Sequence, residues 1–137
     1  TIRASLARVF DDVTEAVHQA PPLPFDSLTV RAESAGNEVT LRMRGTAEMR
    51  DSAPLADLLL HYHREAMRVG ARSVAVDLRE VDFMNSSALN AFVRWFEEVK
   101  GAHSYQVKLQ ADTSKRWQRG SLHALATFAV GHVTVVA

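Results

Sequence analysis

The spacing of apolar residues near the N-terminus predicts a helix. Residues 4–19 carry apolar side chains at every third or fourth position, which places them on one stripe of an amphipathic helix. Three prolines then predict the end of this helix and a stiff connector: Pro21, Pro22 and Pro24. The stripe has two interpretations, because such a helix either packs on its own core or docks on a partner or a second copy.

The next region changes to a period of two, which predicts strands. Residues 28–34 and residues 39–43 alternate apolar and polar side chains. Ala35-Gly36-Asn37 lies between them, and a turn that contains Gly-Asn is typical of a connection between antiparallel strands. We therefore expect a β-hairpin whose second strand ends at Gly45.

A helical period returns three times in the remaining chain. It predicts one helix over residues 53–69, stopped by Gly70, and a last helix over residues 113–129. Between these two, another helix begins at Asn85-Ser86-Ser87 and ends at Gly101.

Short apolar runs between these helices predict buried strands. They lie at residues 74–78, 105–109 and 133–136. The segment after the first run, with Val81, Phe83 and Met84, is typical of a loop. The order α-ββ-α-β-α-β-α-β predicts an α/β fold, with a mixed β-sheet of about five strands flanked by helices and an extra N-terminal helix.

The composition excludes several classes of protein. The chain has 137 residues, 47% of them apolar, which suits one folded domain. Its 16 Lys and Arg balance 16 Asp and Glu, whereas proteins that bind nucleic acid usually carry a basic excess. The lack of Cys excludes disulfides and thiolate zinc sites. Because no apolar run approaches the roughly 20 residues of a membrane span, we expect a cytoplasmic protein.

The most informative polar residues lie where the helix after the first buried strand begins. The first turn of a helix leaves backbone N–H groups unpaired and carries partial positive charge. Asn85, Ser86 and Ser87 are residue types that cap such donors. The same position would stabilise a phosphate on a serine. The residues alone fit both a plain cap and a switch.

The residues around this helix start resemble a known signature. A strand ends in Asp77-Leu78-Arg79-Glu80-Val81, the apolar pair Phe83-Met84 follows, and Asn85-Ser86-Ser87-Ala88-Leu89 opens the helix. This pattern resembles STAS domains, the fold of bacterial anti-anti-sigma factors, which carry Asp and Gly where this chain has Asn and Ala. The resemblance covers about residues 28–137 and leaves residues 1–27, a helix and a Pro-rich connector, outside it.

The resemblance implies a regulatory module rather than an enzyme. In that family the serine after the Asp is phosphorylated by an anti-sigma factor that is also a serine kinase, and a phosphatase restores it. The matching residue is Ser86, with Ser87 as the alternative. The implied switch loop and partner surface comprise Asp77, Asn85, Ser87, Leu89 and Trp95. A second copy of the chain is a further candidate partner, and no cofactor or metal is implied.

Other interpretations stay open at this point. Some STAS-like proteins are subunits of lipid-transport ATPase complexes, and some are thought to bind nucleotides. Asp77 can instead bond loop amides, and Trp95 can instead cover the edge of the core. A serine enzyme lacks an activating arrangement in this sequence. His61 and His63 point about 200° apart on their predicted helix, which argues against a shared metal.

Overall fold

The computed structural model describes Phe25 and residues 27–137. The helix predicted over residues 4–19 and the prolines after it lie outside the described residues. In chain order the elements are β1 (Leu28–Ala35), β2 (Glu38–Ala47), a 3-10 turn (Met49–Asp51), α1 (Ser52–Val69), β3 (Ser73–Met84), α2 (Ser86–Ala102), β4 (Gln106–Gln110), α3 (Arg116–Ala126), a second 3-10 turn (Thr127–Ala129) and β5 (Val133–Val136).

The strands form one mixed sheet in the order β1-β2-β3-β4-β5. β1 and β2 are antiparallel, and each later neighbouring pair is parallel. A helix connects each parallel strand to the next, because parallel neighbours need a crossover. The predicted α/β class, with a five-stranded mixed sheet flanked by helices, is confirmed.

The hairpin is confirmed, with longer strands than the pattern indicated. Its turn contains Gly36, whose φ of 63° is one that glycine adopts without strain. The second strand does not end at Gly45 but continues to Ala47. Gly45 has a φ of 106°, and a Cβ there would collide with the carbonyl oxygen of Ser27. This glycine therefore marks a bulge with a close backbone approach rather than a strand end.

The two faces of the sheet differ in character. The strand residues on the core side are completely buried: Val30, Leu41, Val76 and Leu109. They belong to one core with the buried side chains of α1 and α2. The residues that alternate with them lie on the other face and are charged: Arg31, Arg42, Asp77 and Lys108. We call this second face, which no described helix covers, the open face.

Strand β3 is longer than the predicted run of residues 74–78. It pairs with β4 as far as Asp77 and with β2 as far as Met84. Val81, Phe83 and Met84 therefore belong to the strand, and the prediction of a loop was wrong. β2 supplies the backbone partners of this stretch, which the apolar run of residues 74–78 does not reveal.

The start of α3 holds the second half of β3 in place. Gln118 is 1% exposed, and its Nε2 donates to the carbonyl oxygens of Leu78 at 2.6 Å and Val81 at 3.0 Å. Its Oε1 accepts from the backbone N of Asp112 at 2.8 Å. Trp117 Nε1 also donates to the Val81 oxygen, at 3.0 Å. These bonds fix the part of β3 that leads into α2.

Two helix boundaries differ from the predictions, and one agrees. α3 begins later than residue 113 because Asp112 accepts from the backbone N and Oγ of Ser114, which forms a turn before the helix. Gly101 stays within α2, and His103 caps that helix with a left-handed φ of 52°. Gly70 caps α1 with a φ of 72°, as predicted.

Candidate functional site

Asn85 holds the start of α2. As the N-cap residue it has extended backbone angles, and its Oδ1 accepts from the backbone N of Ser87 at 2.8 Å. Its own backbone N donates to the carbonyl oxygen of Ala47, at the end of β2, at 2.8 Å. The backbone N of Leu89 donates to the Asn85 carbonyl oxygen at 3.0 Å. The ends of two strands and the start of a helix are thereby joined at one capping residue.

The two serines of the motif differ in exposure. Ser86 is the first residue of α2 and is exposed, whereas Ser87 is half-buried and its backbone N–H is engaged by the cap. Behind them, Ala88 is completely buried and Leu89 packs partly against the core. Ser86 is therefore the serine whose position is open to another protein.

The start of α2 has the partial positive charge of a helix N-terminus. Its first turn contains no acidic residue, and the capping Asn85 is neutral. The backbone dipoles of a helix amount to roughly half a positive charge at this end. An anion attached at Ser86 would therefore be attracted to the helix end rather than repelled by its first turn.

Two exposed apolar side chains belong to elements next to the start of α2. Phe83 is 50% exposed and lies just before Asn85 at the end of β3. Met49 is 65% exposed and belongs to the 3-10 turn that contacts α2. Exposed apolar residues of this size that lie together are typical of protein-binding surfaces. We call Met49, Phe83 and Ser86 the switch surface. Sequence reasoning missed Met49, because it is distant from Ser86 in the chain and only the fold brings its 3-10 turn against α2.

Asp77 lies away from the switch surface, on the open face. It is near the middle of β3, and Met84 at the strand end is on the order of 20 Å away at about 3.3 Å per residue. Its carboxylate accepts from Arg79 Nε and Nη2 at 2.9 Å and from Arg42 Nη1 at 3.0 Å. The hydrogen bond from the Arg79 guanidinium is the main cause that holds the pKa of Asp77 below its ordinary value. Its expected place in the switch loop is therefore corrected.

Trp95 is also not part of an exposed surface. It is completely buried, and its Nε1 donates to the hydroxyl oxygen of Tyr105 at 2.9 Å. The expectation of a partner surface at Trp95 is wrong, and the indole belongs to the core. Its place at the margin of the apolar stripe is explained by the hydroxyl, which gives the indole N–H a buried partner.

His63 completes this buried chain of hydrogen bonds. Its Nδ1 lies 2.7 Å from the Tyr105 hydroxyl oxygen. The tautomer of the imidazole decides which of the two groups donates in this bond. Burial lowers the pKa of His63, in keeping with the neutral form. Among the described residues, no group of His, Cys, Asp or Glu could hold a metal ion.

The similarity of this chain to known proteins is seen in the fold rather than in the sequence. No protein-family model matches the sequence, and no curated protein does. An anti-sigma factor antagonist from Mycobacterium paratuberculosis matches with a TM-score of 0.59 and 17% identity, over 74% of this chain and 81% of that one. The anti-sigma factor antagonist SpoIIAA in its unphosphorylated form matches with a TM-score of 0.56 and 10% identity, over 80% and 89% of the two chains. The chain has the STAS fold.

A third solved structure supports the assignment of the STAS fold. A protein from Shewanella loihica that is described as having a SpoIIAA-like fold matches with a TM-score of 0.51 and 11% identity, over 85% of this chain and 91% of that one. In this chain Asn85 lies where the ends of β2 and β3 meet the start of α2. No helix in the described part of the chain has the length and apolar character to span a membrane.

Proposed function

We propose that this chain is a non-enzymatic regulatory module of the anti-anti-sigma type. It binds a protein partner through the switch surface, and phosphorylation of Ser86 weakens that binding. The partner is an anti-sigma factor with serine-kinase activity, and a phosphatase reverses the modification. The observation that carries the proposal is an exposed serine at a capped helix start, beside exposed Phe83 and Met49, within a STAS fold.

The proposed switch acts through local charge. A phosphate adds about −1.5 to −2 charges at neutral pH. The positive end of α2 would tolerate this charge in the free protein. A partner that covers Phe83 and Met49 would have to remove water from the same charge, which opposes binding. Phosphorylation therefore favours the unbound state.

The hydrogen bonds and packing around Ser86 support a switch that does not require refolding of the domain. Asn85 is bonded to β2, to Ser87 and to Leu89, and Ala88 is completely buried behind the serines. Such a scaffold keeps the backbone in one arrangement while the side chain of Ser86 changes. The readout is then the affinity for the partner.

Phosphorylation is tested with an anti-sigma serine kinase from the source organism and radiolabelled ATP. We expect label on the wild-type chain, its loss in Ser86→Ala, and a phosphate mapped to Ser86 by mass spectrometry. Ser34→Ala is the matched control, because Ser34 is exposed on the hairpin, away from α2. Equal labelling of Ser86→Ala and wild type would contradict the assignment.

Binding of the same partner is tested by calorimetry. Ser86→Glu should weaken binding at least tenfold, which corresponds to about 1.4 kcal/mol, whereas Ser86→Ala should bind as the wild type does. Phe83→Ala should also weaken binding, since it truncates a central apolar contact. Met67→Ala is the control, because Met67 is an exposed apolar residue on α1. The proposal fails when Ser86→Glu and Phe83→Ala both bind with wild-type affinity.

A further inference from the structure

A broad groove crosses the open face of the sheet. It has a volume of about 1140 Å³ and lies beside the stretch where β3 continues past the end of its pairing with β4. Crevices next to the carboxyl ends of parallel strands are the places where open α/β sheets usually bind ligands. Five basic residues line the groove, and we call it the arginine groove: Arg31, Arg42, Arg44, Arg79 and Lys115. The carboxylates of Asp77, Glu80, Asp82 and Asp112 also line it, so one positive charge stays in excess.

The arginines on the open face are placed where their mutual repulsion lowers the stability of the sheet. Arg31 and Arg42 are direct partners in the antiparallel β1–β2 register, so their side chains leave the sheet side by side. Like charges placed directly opposite on neighbouring strands destabilise a sheet. Arg44 follows on the same side of β2. Three guanidinium groups therefore occupy adjacent positions on one face.

Asp77 orients two of the guanidinium groups. Its side chain is 10% exposed and is bonded to Arg42 Nη1 and to Arg79 Nε and Nη2. Arg42 Nε also donates to Glu33 Oε1 at 3.1 Å. Arg42 Nη2 and Arg79 Nη1 are not used in these bonds, and each is a hydrogen-bond donor. The carboxylate thus holds two planar donor groups in fixed directions while part of each is left for another acceptor.

The other two arginines are weakly engaged. Arg44 Nε lies 3.8 Å from Glu80 Oε2, and both side chains are about 70% exposed, at 72% and 69%. An exposed pair at this distance contributes little and exchanges readily. Arg31 forms no ion pair with any residue in the described part of the chain. These two cations can reorient toward an anion at small cost.

We propose that the arginine groove binds a phosphate group, either free or carried by a small molecule. Guanidinium groups match phosphate in charge and in the spacing of their donors, and they bind it with paired hydrogen bonds. A bound dianion would relieve the repulsion between Arg31 and Arg42. The open groove has room for a phosphate ester as well as for the free anion. This site is separate from Ser86 and does not depend on the proposed switch.

The test uses the full chain, with inorganic phosphate, ribose 5-phosphate and AMP as probes. Binding is followed by amide chemical shifts in NMR spectra. We expect shifts on β1, β2 and β3 that saturate in the millimolar range or below, with ribose and adenosine inactive. Tighter binding of an ester than of inorganic phosphate identifies a phosphorylated small molecule, and equal binding identifies the free anion.

The double variant Arg31→Gln/Arg44→Gln should raise the dissociation constant at least tenfold. It should leave the midpoint of thermal unfolding equal to or above that of the wild type, because a like-charge pair is removed. Arg68→Gln is the single-charge control on α1, where Arg68 pairs with Glu65. Ser86→Ala should bind the probes as the wild type does. The proposal is overturned when no phosphate probe shifts the groove resonances, or when the double variant binds as Arg68→Gln does.

Discussion

Asn85 is the residue that links the stability of α2 to the proposed switch. Its neutral side chain caps the helix and leaves the positive end of the helix without a carboxylate in the first turn. An aspartate would cap equally well, but its charge would repel a phosphate on the next residue. Asparagine therefore leaves a larger electrostatic change available at Ser86.

Substitution of Asn85 separates the cap from the charge. Asn85→Ala should lower the free energy of unfolding by about 1 kcal/mol, since the Ser87 amide loses its acceptor. Asn85→Asp should keep the cap and raise the free energy by about 0.3–1 kcal/mol through the helix dipole. Urea unfolding followed by circular dichroism measures both. Asn90→Ala, on an exposed position of the same helix, is the control, and an equal effect of Asn85→Ala and Asn90→Ala would refute the capping role.

At the scale of elements, the second half of β3 depends on α3. This stretch has β2 on one side and has left β4 on the other. Gln118 replaces the missing strand by bonding the Leu78 and Val81 carbonyl oxygens. The position of Phe83 and of the start of α2 follows from this support.

Removal of the Gln118 amide should weaken that support. Gln118→Leu keeps the volume but leaves buried polar groups without partners, so the free energy of unfolding should fall by about 1–3 kcal/mol. Hydrogen exchange of the amides between Val81 and Met84 should become faster. Gln106→Leu, at an exposed position of β4, is the control. Similar stability of the two variants would show that the bonds from Gln118 are unimportant.

Two glycines with different surroundings give a paired prediction. Gly45→Ala should destabilise the fold by about 1–3 kcal/mol, because its φ of 106° is strained for alanine and the methyl meets the Ser27 carbonyl. Gly120→Ala should stabilise by about 0.5–1 kcal/mol, since this helical position has open space for a Cβ. Thermal unfolding compares the two. A stable Gly45→Ala would mean that the bulge can rearrange.

At the scale of the whole molecule, the sheet separates two surfaces. One face is buried under α1 and α2, and the proposed switch surface lies at the end of β3 beside the start of α2. The other face carries the arginine groove. The two proposed sites are therefore centred on different residues, Ser86 at the start of α2 and Arg31 with Arg42 on the open face. Cytoplasmic location and a homodimer stay predictions.

The stability of the whole domain should fall on acidification. The pKa of His63 is lowered by burial from its ordinary 6.5, so the unfolded chain binds the proton first. Its contribution is complete above about pH 6.5 and declines below it. The pKa of Asp77 is lowered from 3.8, mainly by Arg79, and its contribution is lost as pH falls below that value.

Urea unfolding between about pH 8 and about pH 5 measures the contribution of His63 to the pH dependence of the free energy of unfolding. The wild type should lose stability over the lower half of this range. His63→Gln should show a smaller dependence on pH, whatever its absolute stability. His123→Gln is the control, because His123 is exposed on α3. A His63→Gln profile parallel to the wild type would exclude His63 as the source.

Much of the fold could be predicted from local patterns. The hairpin, the cap at Gly70 and the start of α2 at Ser86 were correct, because turn preference, left-handed φ and capping act between near neighbours. The end of β3 and the burial of Trp95 were not predicted correctly. A strand end depends on which partner continues beside it, and the indole depends on Tyr105 from the next segment.

The sequence by itself determined the order of the described elements and the serine pair at a helix start, since periodicity and capping are properties of adjacent residues. Only the tertiary structure decided what surrounds that serine and what lies on the open face. The β2–β3 register brings Thr46 beside Phe83 and Ala47 beside Met84, and the β1–β2 register brings Arg31 beside Arg42. Strand pairing joins residues that are distant in the chain, and no local pattern specifies which of them meet.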